Sequence, residues 1–268
     1  MLDLFQFEFM QRALIAGLIV AFVCPMVGMF IVIRRQSLLG DGLGHIAFAG
    51  VTGASLLGMY PPLGAAILTV GAAVGIEYLR RKHLQYTDMS LALFFYTGLA
   101  LAVIFCTMAK IPGTALMSFL FGSILTVTFY DIINIGVVAC VVSIMTVLLL
   151  PKLLLASFDE EVAKVAGINT NRINMIFAVI TALVVVIGMS IVGILLISAL
   201  MIIPVAAAHL WKCSFRCTMG ISIVYSFFAV AAGLLAAASF DLAPGGTIVL
   251  SAIIVYIFTF AGTAIMQS

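Results

Sequence analysis

The sequence predicts an all-α protein, a polytopic transmembrane bundle of about nine helical spans with its N-terminus outside and its C-terminus cytoplasmic. Three observations predict it. The 268 residues are 65% hydrophobic and 8% charged, with a mean hydropathy of +1.34. Soluble domains carry about 25% charged residues, and so few charges cannot build a water-facing surface. Several apolar stretches also reach the ~18 residues that cross a bilayer core, among them 13–33, 90–109, 132–150, 191–208 and 247–265. Finally, the basic residues fall almost entirely at one set of loops.

The spans follow from the breakers between them. Tyr60-Pro61-Pro62, Ile111-Pro112-Gly113, Pro151 and Ala243-Pro244-Gly245-Gly246 mark turns, and Arg34-Arg35, Arg80-Arg81-Lys82 and Lys212 to Arg216 mark others. The expected spans are 12–33, 42–59, 62–79, 89–109, 131–150, 173–189, 191–210, 217–238 and 247–266. With the N-terminus outside, ten of the twelve Lys and Arg residues lie inside, and only Arg12 and Lys110 lie outside. Residues 114–130 are apolar but short and polar-spotted, which predicts a re-entrant or interfacial segment. The stretch 173–210 is almost unbroken; as one bent hairpin it gives eight spans, as two separate spans nine. The first twelve residues hold Asp3 and Glu8 against a lone Arg12, so the first apolar stretch reads as a retained span and not as a cleaved signal. Two Gly-rich segments, Gly40 to Gly58 and Gly188 to Pro204, lie in opposite halves. That placement hints at a structural repeat, although close helix packing in lipid uses the same small residues.

Ionisable groups inside a membrane are costly and mark functional sites. Asp41 and His45 stand four apart in a glycine-rich run, Gly40-Asp41-Gly42-Leu43-Gly44-His45. On a helix that spacing puts both side chains on one face, and a carboxylate with an imidazole suits a borderline divalent metal. The alternative is an Asp that caps a helix and a His hydrogen-bonded to a neighbouring helix. His209, Cys213 and Cys217 are also four apart and form a second candidate only if one helix carries all three. Otherwise they are unrelated residues where thiols stay reduced. The five cysteines are odd in number and irregularly spaced, and suggest no disulfide framework.

A polar loop, Ser157 to Ile168, follows Pro151. Phe158, Val162 and Val165 recur at helical spacing, with Asp159, Glu160 and Glu161 in front and Gly167 behind. This predicts a short cytoplasmic amphipathic helix, with acids matched to its dipole and a glycine stop, placed to meet a partner. An ordinary surface turn would carry the same residues. No Gly-x-x-x-x-Gly-Lys-[Ser/Thr] occurs, which excludes ATP binding by a P-loop. Few acids lie mid-membrane, which counts against a carrier driven by protons or sodium.

The chain resembles the permease family of zinc, manganese and iron ABC importers, and looks most like its zinc members. The resemblance runs over nearly the whole length. It rests on Phe9 to Leu14, Arg34 to Asp41 through His45, Leu120-Phe121-Gly122-Ser123-Ile124-Leu125, Ser157 to Glu161 through Gly167, Val192-Gly193-Ile194-Leu195-Leu196 through Pro204, and Gly246 to Leu250. Gly44 departs from the family's usual Ser, and Phe48-Ala49-Gly50 from its usual Leu-Pro-Gly. The resemblance implies that Asp41 and His45 coordinate the transported cation, with no permanently bound cofactor. It also implies that Phe158, Asp159, Glu160, Glu161 and Gly167 belong to the element that docks on the ATPase. It implies a single permease domain over 1–268, with 151–172 as the coupling loop, in a bacterial plasma membrane. The partners it implies are a second copy, cytoplasmic ABC ATPase subunits and an extracellular metal-binding lipoprotein, and no nucleic acid. The lipoprotein is expected at the Pro61 turn and at the external mouth near Asp241 and Pro244.

One chain then offers two ligands, too few to replace a metal's water shell. A two-fold dimer offers two Asp and two His, a near-tetrahedral set that suits zinc. Manganese and ferrous iron remain alternatives, as do an ion-gradient-driven secondary transporter and a non-transporting scaffold.

Overall fold

The computed structural model describes residues 8–82, 87–123, 127–189, 191–194 and 196–267. Asp3 at the N-terminus and Ile124, Leu125 and Leu195 of the family motifs lie outside the described residues.

Twelve helices follow one another among these: α1 (Glu8–Ile33), α2 (Leu38–Leu56), α3 (Pro61–Lys82), α4 (Thr87–Met108), α5 (Gly113–Phe121), α6 (Phe129–Leu148), α7 (Leu150–Phe158), α8 (Glu160–Val165), α9 (Thr170–Gly188), α10 (Ile197–His209), α11 (Phe215–Phe240) and α12 (Pro244–Gln267). Seven are long and apolar enough to cross a membrane: α1, α3, α4, α6, α9, α11 and α12. Helices are the expected outcome in lipid, because each satisfies its backbone groups within its own segment.

Two of the nine expected spans fall outside that set, for different reasons. The span at 42–59 is α2, which is long enough at 19 residues but is diluted by five glycines, Asp41 and His45. The span expected at 191–210 is shorter than the sequence suggested. Its helix, α10, has only 13 residues, because the described residues between α9 and α10 (189, 191–194 and 196) lie in turns and not in a helix. Gly193 takes φ +90° there, a left-handed conformation that glycine adopts without a Cβ clash. The cause is tertiary: the Ile194 amide donates to the Phe119 carbonyl at 3.1 Å, and a Cβ on Gly193 would stand 2.5 Å from the Gly122 amide nitrogen. The end of α5 thus takes over bonding that a continuous helix would have kept for itself.

The expected re-entrant segment at 114–130 contains α5, nine residues that stop at Gly122 with φ +77°. The described part of the segment is too short to cross a bilayer.

Burial sorts the bundle into an inner and an outer set. In α1 72% and in α9 61% of the most apolar window is buried, against 17% in α4 and 22% in α6 and α12. The inner helices α1 and α9, with the short α10, carry the core side chains Phe30, Phe177, Leu200 and Met201. Phe30 of α1 meets the Phe177 ring edge-on at 6.0 Å and the Phe215 ring at 5.7 Å, which ties α1 to α9 and α11. The outer helices expose Leu93, Val103, Val137, Ile144, Phe258 and others, surfaces that only lipid or another apolar chain can cover without cost.

Local caps fix several ends. Thr128 and Asp131 form a reciprocal capping box at the start of α6. Asn169 caps α9 through the Arg172 amide, and Asp159 caps α8.

Candidate functional site

Asp41 and His45 lie on one uninterrupted helix, α2, so the four-residue spacing does place them on one face. Asp41 is in the first turn and is not the cap. That position belongs to Ser37, whose side chain makes no capping bond. His45 is half-buried, and its ring stands edge-on to Phe95 of α4 with centroids 4.3 Å apart. Its Nδ1 is buried and has no hydrogen-bond partner. Asp41 is therefore not the capping residue, and His45 makes no hydrogen bond to a neighbouring helix through Nδ1.

Glycines set how close the surroundings come. A Cβ on Gly98 of α4 would lie 2.8 Å from the Ile46 amide nitrogen, so α4 packs backbone-to-backbone against the turn that carries His45. On the other side of α2, a Cβ on Gly44 would sit 3.0 Å from the Ile194 carbonyl oxygen, in the unwound stretch before α10. The two Gly-rich segments of opposite halves thus face each other. Next to Asp41, the space over Gly40 is filled by Ser198, whose hydroxyl is buried and unpaired. Sequence reasoning missed Ser198, since nothing in a lone serine of an apolar run marks it.

No group of three or more His, Cys, Asp or Glu side chains that could hold a metal occurs among the described residues. His209, Cys213 and Cys217 are not on one helix. The helix α10 ends at His209, Lys212 turns with φ +51°, and α11 starts only at Phe215. Cys213 and Cys217 interact with each other, and this thiol hydrogen bond raises the exposed Cys213 above its ordinary range, with desolvation second.

At the end of the bundle that carries the arginine clusters, the expected single amphipathic helix is two. Phe158 closes α7, Asp159 adopts an extended φ of −151°, and α8 begins at Glu160. The Asp159 carboxylate accepts from the amides of Glu161 and Val162 at 2.9 and 3.0 Å. That cap competes with helix continuation and breaks the run. Glu160 pairs with Lys164 at 3.3 Å and accepts from the Thr170 hydroxyl at 3.3 Å, which sets α8 against the start of α9. Gly167 ends the element with φ +78°. Despite the break, Phe158, Val162 and Val165 are 69%, 51% and 90% exposed, while Ala163 is buried. The apolar side chains that sequence periodicity grouped together point outward.

At the opposite end, Asp241 takes φ +53° and closes α11, and Pro244 opens α12. Both line an open cleft of about 510 Å³ together with Phe9, Ser118, Phe121 and Gly122. The turn at Pro61 does not join it. Its neighbours Tyr60 and Pro62 line a separate cavity of about 360 Å³ with Asp131, where the Tyr60 hydroxyl donates to the Asp131 carboxylate at 2.9 Å.

Comparison with known proteins adds the family. The model of the ABC 3 transport family matches residues 6–263. The chain belongs to the ABC 3 transport family. This ABC 3 chain is 33% identical to the manganese import system permease protein ScaB of Streptococcus gordonii, over 96% of this chain and 92% of that protein. It is 28% identical to the high-affinity zinc uptake system membrane protein ZnuB of Haemophilus influenzae, over 94% and 97%. Among solved structures it is similar to PsaBC from Streptococcus pneumoniae in complex with Fab, with a TM-score of 0.87 and 33% identity over 97% of this chain and 94% of that one. As an ABC 3 permease subunit it does not itself hydrolyse ATP, a task of a separate subunit, and it is a multi-pass protein of the bacterial plasma membrane.

Proposed function

We propose that this ABC 3 chain carries a divalent transition metal into the cell, zinc in the first place, as one half of a homodimer driven by separate ATPase subunits. The observation that carries the reading is the pair Asp41 and His45 on one face of α2, with the buried His45 Nδ1 left without a partner. A buried polar atom with no bond costs about 1–3 kcal/mol, a cost that makes sense for a group whose partner is a passing ion. Two copies would supply two carboxylates and two imidazoles, a set that binds zinc. Binding must also be reversible, and a site shared between two moving halves opens when they part.

The chain makes and breaks no covalent bond. In the proposed cycle the lipoprotein docks at the outer cleft by Asp241 and Pro244, and the ion passes to Asp41 and His45. ATP-driven closure of the partner moves Phe158 and α8 and so reverses access. Counting α2 and α10 as crossings gives nine, with the N-terminus outside, and that topology puts the Arg34, Arg80 to Lys82 and α7–α8 end in the cytoplasm.

Uptake of zinc by the complex in proteoliposomes tests this. Asp41→Ala and His45→Ala are each expected to lower uptake by about tenfold or more, on the scale of one lost charge-assisted ligand. Normal uptake with both changes overturns the reading. Manganese is the second reading, favoured by the likeness to the Streptococcus gordonii manganese permease, and a carboxylate with an imidazole serves it too. Competition for uptake among zinc, manganese and ferrous iron separates them.

A further inference from the structure

One polar cluster lies apart from the ligand pair and directly beside the docking face, and joins the end of α1, just before α2, to α7 and α9. Arg34 continues the last turn of α1, its amide donating to the Phe30 carbonyl at 3.0 Å. Its Nε donates to the Ser157 hydroxyl of α7 at 2.8 Å, and that hydroxyl donates to the Leu153 carbonyl at 2.6 Å. Its Nη1 donates to the Asn174 side-chain oxygen of α9 at 2.9 Å. The guanidinium lies over the Phe177 ring, 4.4 Å from its centroid. One planar fork therefore grips α7 and α9 with separate nitrogens, a geometry that lysine cannot reproduce.

The third nitrogen, Nη2, is buried without a partner. Arg34 lines a small cavity of about 10 Å³ with Gln36, Glu77 and Arg80. Glu77 is 5% exposed and pairs with Arg80 at 3.0 Å and Arg81 at 3.6 Å, and Arg81 in turn donates to the Asn171 carbonyl at the head of α9. Desolvation first, then the nearby Arg80, pulls Arg34 down to about 10, against the opposing pull of Glu77 and Glu160. The group still carries its charge at neutral pH, and in a dry setting its hydrogen bonds are strong.

Position gives the cluster its meaning. Ser157 directly precedes Phe158, the exposed end of α7. On the other side, Arg35 makes a tight turn with φ +55°, and α2 starts at Leu38, three residues ahead of Asp41. We propose that Arg34 is a positioning residue, a strut through which displacement of α7 at the ATPase-docking end is passed to the α1–α2 turn and so to the helix bearing Asp41 and His45. The inference rests on the transport reading above, and it assigns how the docking end and the ligand pair of that reading are linked.

The test uses the assembled permease–ATPase complex in proteoliposomes, with zinc uptake and ATP hydrolysis measured on the same sample. Arg34→Lys and, separately, Ser157→Ala are expected to lower uptake per ATP hydrolysed by about tenfold while hydrolysis itself stays within about twofold. Because both act on one link, the double variant is expected to be no worse than the stronger single one. Ser157→Ala removes a single hydroxyl and keeps the test open should Arg34→Lys fail to assemble. An unchanged ratio in Ser157→Ala, or uptake and hydrolysis falling in equal proportion, overturns the strut while leaving the transport reading standing. Absence of metal uptake by the unmodified complex overturns the transport reading and the strut with it.

Discussion

A buried imidazole nitrogen and an arginine nitrogen each lack a partner, at the places where the transport reading has the molecule change partners, whereas Gly193 at φ +90° marks a backbone that no other residue takes up as readily. Gly193 is the clearest to weigh. Any other residue there adopts a left-handed backbone and drives a Cβ into Phe121 and Gly122. Gly193→Ala is therefore expected to destabilise the fold by about 1–3 kcal/mol, read as a lower thermal midpoint of the purified protein. An unchanged midpoint would mean that Gly193 and Ile194 are not held against α5. Gly44→Leu is expected to cut uptake sharply with assembly intact, because the added side chain meets the Ile194 carbonyl beside the ligand pair. Uptake at the level of the unaltered chain would show that this close approach has no role in transport.

At the scale of elements, the docking end is a helical pair with a single cap between its members. Asp159→Ala removes both bonds to the start of α8 and is expected to cost about 0.5–2 kcal/mol of local stability, seen as faster amide exchange over 160–165 with the spans unaffected. Exchange rates unchanged in that window would show that the Lys164 and Thr170 contacts of Glu160 hold α8 without the cap. Val165 is 90% exposed, so it buries little against the described residues. Val165→Glu is accordingly expected to leave the permease folded and to abolish co-purification with the ATPase. Retained co-purification would place the docking surface elsewhere.

For the whole molecule, the decisive number is how many copies share one passage. Each chain brings two candidate ligands, and no larger cluster forms among the described residues. Native mass spectrometry of the complex is expected to show two copies of this chain; a single copy would leave the ion with an incomplete shell and sink the shared site. Legibility from sequence divides along physical lines. The helical membrane class followed from composition, and the pairing of Asp41 with His45 on one face followed from spacing along a helix, because both depend only on neighbours in the chain. The division of 157–168 into α7 and α8 was not legible, since Asp159 has the composition of a helix front and becomes a break only through its own capping bonds. The shortness of α10 was hidden for a stronger reason, because residues 191–210 are mostly apolar and a lone Gly193 serves close helix packing as readily as it marks a break.

The sequence by itself therefore determined that this protein lives in a membrane, which of its ends gathers the positive charge, and which acid and imidazole share a helical face. Those properties arise from the solvent preference of side chains and from the 3.6-residue turn. Only the tertiary structure decided that His45 Nδ1 is left unbonded, that the broken stretch before α10 is tied to α5, and that Arg34 joins α7 to α9. These depend on which distant backbone groups come within hydrogen-bonding reach, and that is a property of the packed bundle.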